Sequence, residues 1–135
     1  MALIEWNDRL SVNINSIDGQ HKILVSLIND LHDAMTSGKS KEVIASVLGR
    51  LIEYTKSHFQ HEEQCMTKTC YAQLKDHKCQ HDDLAKKVLQ FEADFKAGKV
   101  GLTMEVMTFL QQWLNNHIMK SDKAYSAHLI SHHIA

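Results

Sequence analysis

The chain has 135 residues, of which 44% are hydrophobic and 23% charged, and its formal net charge at pH 7 is -1. This length fits one domain of ordinary size, and the composition is typical of a soluble globular protein. The small net charge argues against binding to nucleic acid or to an anionic membrane. The first ten residues lack the apolar core of a secretory signal, and no apolar run approaches the roughly 20 residues that span a bilayer. We therefore expect a cytoplasmic protein without membrane insertion.

Hydrophobic residues recur every three or four positions between short polar stretches that contain Gly38, Gly98 and Gly101, and the chain has no proline. This spacing is typical of helices packed at small crossing angles. Four helices are predicted, at roughly residues 18–37, 40–65, 72–97 and 102–119. Asp18 and Ser40 are the predicted N-caps of the first two helices.

Short connections between such helices predict an all-α fold. We expect an up-down-up-down antiparallel four-helix bundle with an N-terminal loop and a short C-terminal tail. The three cysteines are an odd number in a reducing compartment and lack the CxxC spacing of a zinc site. They are interpreted as small buried residues or surface thiols: Cys65, Cys70 and Cys79.

Potential metal ligands lie on the apolar stripe of each predicted helix, where they share the spacing of the core residues. The set is His21, His58, Glu62, His77, His81, His117 and Asp122. Five imidazoles and two carboxylates are about what two metal ions need if one position stays open. A buried carboxylate must be paired or bound to metal, and no lysine or arginine lies on a stripe to neutralise Glu62. The sequence therefore favours a two-metal site.

An ordinary core histidine is the competing interpretation, and for His21 alone it is the better one. His58 with Glu62, and His77 with His81, are pairs four residues apart, which place both side chains on one helix face. Each pair by itself is only moderately specific. Inward-facing histidines on all four helices together are improbable by chance.

His117 and Asp122 do not fit one face of a regular helix. Five residues at about 100° each leave them about 140° apart. For both to reach one site, the fourth helix must bulge or unwind near residues 119–121, as a π-type turn does. Ser121 is expected to satisfy backbone groups that such an irregularity frees.

Several spaced motifs together are highly specific, and they cover nearly the whole chain. They read SIDGQHKILVSLINDLH from residue 16, HFQHEEQCM from residue 58, HKCQHDDL from residue 77 and HIMKSD from residue 117. With these motifs the chain resembles the hemerythrin family, specifically the single-domain bacteriohemerythrins. The resemblance implies that residues 1–135 form one hemerythrin-like domain. Departures are Ala72, where members often carry proline after the tyrosine, and the three cysteines.

The resemblance implies a cofactor of two non-haem iron ions (Fe2+/Fe3+) with an oxo or hydroxo bridge. One iron would be held by His77, His81 and His117, and the other by His21 and His58. Glu62 and Asp122 would bridge both irons. The open position would then lie on the second iron, which is where members of the family bind dioxygen reversibly.

Apolar residues beside the ligands are candidates for the walls of an oxygen pocket, although an ordinary core role is equally consistent. They are Phe59, Trp113, Leu114 and Ile118. The other polar residues near the ligands are interpreted as solvated. This applies to the carboxylates Glu63, Asp76 and Asp82, to Lys120 and Lys123, to His32 and His61, and to the tail histidines His128, His132 and His133.

Reversible dioxygen binding for storage, transport or delivery is the leading functional interpretation. The partners would be dioxygen and an oxygen-consuming recipient enzyme, and we expect a monomer. An oxygen or redox sensor and a di-iron peroxidase or nitric-oxide-handling enzyme stay as alternatives. No additional acid–base pair is visible near the site, which disfavours the enzyme interpretation.

Overall fold

The computed structural model describes residues 3–98 and 104–134; of residues 104 and 105 only the backbone is described. A short 3-10 helix, Asp8–Leu10, is followed by α1 (Asn15–Thr36), α2 (Lys41–Lys68), α3 (Leu74–Lys96) and α4 (Met104–Asn116). A π-helical segment, His117–Asp122, then joins α4 directly to α5 (Lys123–Ser131). No strand occurs in the described ranges.

The bundle consists of α1, α2, α3 and the continuous run from α4 to α5. Helix α1 lies beside α2 and α4, and α2 also lies beside α3. The predicted all-α four-helix bundle is confirmed. Every helix in the described part of the chain is too short or too polar to span a bilayer.

Helices α1 and α3 end where the sequence places glycine. Gly38 and Gly98 have φ of 69° and 73°, in the left-handed region that favours glycine and closes helix C-termini. The start of α2 is also as predicted, because the Ser40 hydroxyl accepts a hydrogen bond from the Val43 backbone N–H at 3.3 Å. Gly101 and the predicted helix start at 102 lie outside the described residues.

The predicted N-cap of the first helix is wrong. Helix α1 begins at Asn15, so Asp18 lies in its first turn. Its carboxylate instead accepts hydrogen bonds from the Ser11 hydroxyl and from the Val12 backbone N–H. Polar residues around position 15 hid this extra turn from the sequence pattern, although Ile17 within it is buried.

The fourth helix continues well beyond its predicted end at 119, since α5 reaches Ser131. Tyr125 and Leu129 of α5 are fully buried, so this part of the chain packs on the bundle. The hydroxyl of Ser126 donates to the Val12 carbonyl, which joins α5 to the N-terminal segment.

The N-terminal segment is held against the bundle by side-chain hydrogen bonds. The Asn29 side chain bonds the backbone of Ile4 in both directions, at 2.9 and 2.8 Å. The Gln111 amide donates to the Leu3 carbonyl at 3.0 Å. Because Asn29 lies on α1 and Gln111 on α4, this segment lies across two neighbouring helices.

The apolar stripes predicted from the sequence form the core. Leu24, Ile28 and Leu31 of α1 are buried, and so are their counterparts on the other helices, Leu48, Leu51, Leu84, Val88 and Leu110. The same stripes continue into buried histidine, glutamate and aspartate side chains.

Candidate metal centre

All seven predicted ligands are buried in the bundle, with exposures between 0 and 5%. Helix α1 supplies one of them, α2 two, α3 two and the π-helical segment two: His21, His58, Glu62, His77, His81, His117 and Asp122. The structure therefore brings together the complete set that the sequence singles out.

The side-chain atoms form two groups, each able to hold a metal ion, with candidate ligand atoms within 4.8 Å of one another. One group contains Glu62, His77, His81, His117 and Asp122, and the other contains His21, His58, Glu62 and Asp122. Both carboxylates are members of both groups. A carboxylate shared in this way is suited to bridge two cations.

The two oxygens of Asp122 face different groups. Oδ2 lies 3.0 Å from His21 Nε2, while Oδ1 lies 3.0 Å from His77 Nε2 and 3.1 Å from His117 Nε2. This is the arrangement expected of a carboxylate that bridges two metal ions.

Glu62 also lies between the two groups, because one of its oxygens is close to a histidine of each group. Its Oε1 is 3.1 Å from His58 Nε2 and 3.3 Å from His81 Nε2. Its Oε2 accepts a hydrogen bond from the buried Tyr125 hydroxyl. Burial and the nearby Glu62 charge raise the pKa of Tyr125 well above its usual value, so the hydroxyl stays a neutral donor.

The irregularity predicted between His117 and Asp122 is confirmed as a π-helical segment. In a π-helix the backbone bonds connect residues five apart, so the side chains of His117 and Asp122 come to one face. Ser121 does not have its predicted role, because its hydroxyl donates to the Gln80 side chain of α3 at 2.6 Å. That bond joins the π-helical segment to α3.

Buried charges in the cluster compensate one another when no metal is bound. Burial and Asp122 raise the pKa of Glu62, but His58 and His81 outweigh them, and the net pKa lies below its usual value. Burial likewise opposes ionisation of Asp122, yet the nearby imidazoles of His117 and His21 lower its pKa. Burial lowers the pKa of His21, but Asp122 more than offsets this and the pKa is raised. Both carboxylates are thus held ionised.

Unpartnered polar atoms in this cluster fit a bound cation. Among the described residues, Glu62 Oε1, both Asp122 oxygens, both His21 nitrogens and His77 Nε2 are buried and without a hydrogen-bond partner. The short nitrogen–oxygen separations around them are therefore not satisfied hydrogen bonds. Unpaired buried atoms are costly, and a metal ion would satisfy them together.

The outer ring nitrogens of three histidines are hydrogen-bonded to side-chain oxygens. His58 Nδ1 is 2.6 Å from Gln20 Oε1, His117 Nδ1 is 2.9 Å from Gln80 Oε1, and His81 Nδ1 is 2.9 Å from Glu63 Oε2. When each Nδ1 donates its proton, each Nε2 keeps a free lone pair. The Nε2 atoms of His81 and His117 then face each other at 3.1 Å, which calls for a cation between them.

These outer contacts correct one sequence prediction. Glu63 does not belong to a solvated face, since it is partly buried and hydrogen-bonded to His81, while Asp76 and Asp82 are exposed as predicted. Gln20 and Gln80 were not identified from the sequence. The sequence contains one indication of their role, because each glutamine directly precedes a predicted ligand. This indication is weak, since each glutamine bonds a ligand on a neighbouring helix.

Two of the predicted pocket residues stack on ligand rings. The ring of Phe59 lies 3.7 Å from that of His81 with an interplanar angle of 2°, and Trp113 lies 4.4 Å from His117 at 14°. Such stacking restricts how the imidazoles can rotate.

A small apolar cavity of about 30 Å³ lies between the helices beside these rings. Phe59, Trp113 and Leu114 line it together with Leu24, Ile28, Leu51, Thr55, Leu84, Val88 and Leu110. Ile118 is buried but is not one of the lining residues. A cavity needs about 10–15 Å³ to hold one water molecule, so this one can accept a diatomic ligand.

The remaining histidines divide into three environments. His132 and His133 are exposed as predicted, but His128 is half-buried on α5 and its Nε2 bonds the Thr69 carbonyl at 2.8 Å. The prediction that His32 and His61 face solvent is wrong, because both are half-buried.

The cysteines and two lysines are placed as predicted. Cys65 is buried, and Cys70 and Cys79 are exposed free thiols. Lys120 and Lys123 are exposed.

Comparison with known proteins yields consistent matches. Residues 12–129 match the family model described as "Hemerythrin HHE cation binding domain". The chain is 36% identical to the bacteriohemerythrin of Stenotrophomonas maltophilia over 98% of its length and 85% of that protein. It is also 36% identical to the bacteriohemerythrin of Methylococcus capsulatus, over 93% of the chain and 95% of that protein. A solved structure of wild-type hemerythrin superposes with a TM-score of 0.91 at 35% identity, over 95% of this chain and 98% of that one.

Proposed function

Because the chain belongs to the hemerythrin family, we propose that it binds dioxygen reversibly at a non-haem di-iron centre, for oxygen storage, transport or delivery. The observation that carries the proposal is the fully buried set of five imidazoles and two shared carboxylates. A bound pair of cations would satisfy the unpartnered polar atoms that converge there in the described core.

The proposed ligand assignment follows the two groups in the structure. His77, His81 and His117 would hold one iron, His21 and His58 the other, and Glu62 and Asp122 would bridge them with an oxo or hydroxo group. When bound, the two irons supply the electrons and the open coordination position that reversible dioxygen binding requires. The second group has one histidine fewer, so we place the open position there.

The protein's own contribution is to orient the ligands and to keep water away. Gln20, Gln80 and Glu63 hold protons on outer ring nitrogens, which leaves the inner nitrogens free for metal. Phe59 and Trp113 stack on two of the rings. The apolar cavity beside them offers space for a small ligand but few hydrogen-bond partners for water.

Binding without turnover is part of the proposal. The cavity lining is apolar except for Thr55 and the indole of Trp113, and the Thr55 hydroxyl already donates to the Leu51 carbonyl. Neither group is suited to general acid–base catalysis. One hemerythrin-like domain, a cytoplasmic location and a monomeric state stay predictions.

The test is to load the protein with iron, reduce it without oxygen and then admit oxygen. We expect two irons per chain and a visible absorption band that appears with oxygen and fades when oxygen is removed. His58→Ala should abolish the reversible band, whereas His132→Ala, which changes an exposed histidine, should leave it intact.

Three outcomes would contradict the proposal. Binding of zinc with no uptake of iron would remove the di-iron centre. Irreversible loss of the band after one exposure would argue against carriage. Steady turnover of added peroxide by the iron-loaded protein would favour an enzyme.

A further inference from the structure

The three outer-nitrogen partners of the candidate ligands differ in charge. His58 and His117 bond the neutral amides of Gln20 and Gln80, while His81 bonds the carboxylate of Glu63 at 2.9 Å. This difference is not required for holding the rings in place, because an amide oxygen accepts the same hydrogen bond. It therefore calls for a separate explanation.

The charge of Glu63 is directed at His81. Its side chain is 24% exposed, and within the described chain its ion pairing is with His81 alone. Glu63 follows the shared ligand Glu62 on α2, whereas His81 lies on α3. The contact thus connects a charged side chain on one helix to a candidate ligand on the next.

A histidine that donates its outer N–H to a carboxylate becomes a stronger electron donor through its other nitrogen. Stronger donation stabilises the more positive oxidation state of a bound metal, so the reduction potential falls. A neutral amide partner has a smaller effect.

This effect falls on one metal group only. The group with three histidines contains His81, whereas in the other group His58 has a neutral partner and His21 Nδ1 has none among the described residues. The two metal positions should therefore differ electronically even though they share both carboxylates.

We propose that Glu63 is a positioning residue that acts through His81 to lower the reduction potential of the iron held by His77, His81 and His117. The inference rests on the proposed di-iron function and concerns its tuning. By favouring oxidation of that iron, Glu63 strengthens oxygen binding at the centre as a whole.

The experiment compares two variants of the iron-loaded protein that each remove one negative charge. Glu63→Gln keeps the size and an acceptor oxygen, while Asp82→Asn neutralises an exposed carboxylate next to His81 in sequence. We expect Glu63→Gln to raise the midpoint potential by about 59 mV. For a one-electron step, this shift corresponds to a tenfold change in the ratio of oxidised to reduced protein. Asp82→Asn should leave the potential unchanged.

Gln20→Glu is the reciprocal variant, because it places a carboxylate against His58. It should lower the midpoint potential, opposite in sign to Glu63→Gln. Oxygen affinity should fall about tenfold in Glu63→Gln. Circular dichroism and iron content verify that each variant is folded and loaded.

An unchanged potential in loaded Glu63→Gln would refute this inference alone. Equal shifts in Glu63→Gln and Asp82→Asn would also refute it, because they would reflect general surface charge. A wild-type protein that takes up no iron would refute the proposed function and this inference together.

Discussion

At the scale of single residues, we expect Leu114 to limit the size of the cavity beside the candidate metal centre. It is buried and lines the cavity of about 30 Å³. Leu114→Ala should enlarge this space, admit water and accelerate the conversion of the oxygenated protein to the oxidised form. The decay of the oxygen-dependent band over time measures this rate.

Leu48→Ala is the matched control. Leu48 is equally buried but does not line the cavity. Both substitutions should cost about 2–5 kcal/mol of folding stability, since each removes a buried leucine side chain. Equal decay rates in the two variants would mean that Leu114 has no gating role.

Tyr125 anchors the shared carboxylate Glu62. Its hydroxyl is fully buried and donates to Glu62 Oε2. Tyr125→Phe should lower the free energy of unfolding of the metal-free protein by about 1.5–3 kcal/mol, the range for a hydrogen bond to a charged group. Urea unfolding of the metal-free protein measures the change.

Tyr54→Phe provides the comparison on α2, where the tyrosine is only half-buried. A surface substitution of this kind is expected to change stability by less than about 0.5 kcal/mol. A similar loss in both variants would show that the Tyr125 hydroxyl does not stabilise Glu62.

At the scale of elements, the π-helical segment behaves as a regular helix with one residue inserted. Deleting Lys120, which is exposed within the segment, should restore an α-helix and leave His117 and Asp122 four residues apart on one face. The register of α5 is then kept. We expect this deletion to fold with a melting temperature close to that of the wild type.

Deleting Gln112, which is exposed in the regular part of α4, is the control. It should rotate every later side chain by about 100° relative to the bundle. Buried residues such as Tyr125 would turn away from the core, so the protein should unfold or lose its metal site. Thermal circular dichroism and iron content compare the two; equal damage would disprove the insertion interpretation.

The elements also show which features a sequence can predict. The apolar stripes, the bundle and the irregularity near residue 120 depend on helical periodicity, so the amino-acid sequence alone indicates them. The contacts of Gln20, Glu63 and Gln80 depend on how neighbouring helices are packed. Each of the three directly neighbours a ligand in the sequence of its own helix but bonds a ligand on another helix. The hydrophobic pattern of a single helix cannot indicate such a contact.

Errors at helix ends have a similar origin. Asp18 has the chemistry of an N-cap, and a preceding backbone N–H does bond its carboxylate. Buried Ile17 nevertheless extends α1 by one turn, because packing against the bundle offsets the weak local preference for a start at Asp18.

At the scale of the whole molecule, removal of metal should destabilise the bundle in a way that depends on pH. Without metal, burial of the His21 ring lowers its pKa, but Asp122 more than offsets this, so the pKa of His21 is raised above its usual 6.5. A histidine with a raised pKa stabilises the fold at pH values below its usual pKa. This stabilisation is lost as the pH rises through the pKa of the folded state. The metal-free protein should therefore lose stability as the pH rises above 6.5.

The iron-loaded protein should not follow this trend, because bound metal replaces the proton. We expect the difference in melting temperature between loaded and metal-free protein to widen from pH 6 to pH 8. Scanning calorimetry of both forms across this range measures it. A constant or shrinking difference would show that protonation of His21 does not stabilise the metal-free fold.

Asp122 belongs to both ligand groups and follows every other member of them along the chain. During synthesis, the segments that carry His21 and His58 leave the ribosome long before the one that carries Asp122. Neither metal position can be completed on a partial chain. The complete ligand set of either metal position therefore exists only after the fourth helix has been translated.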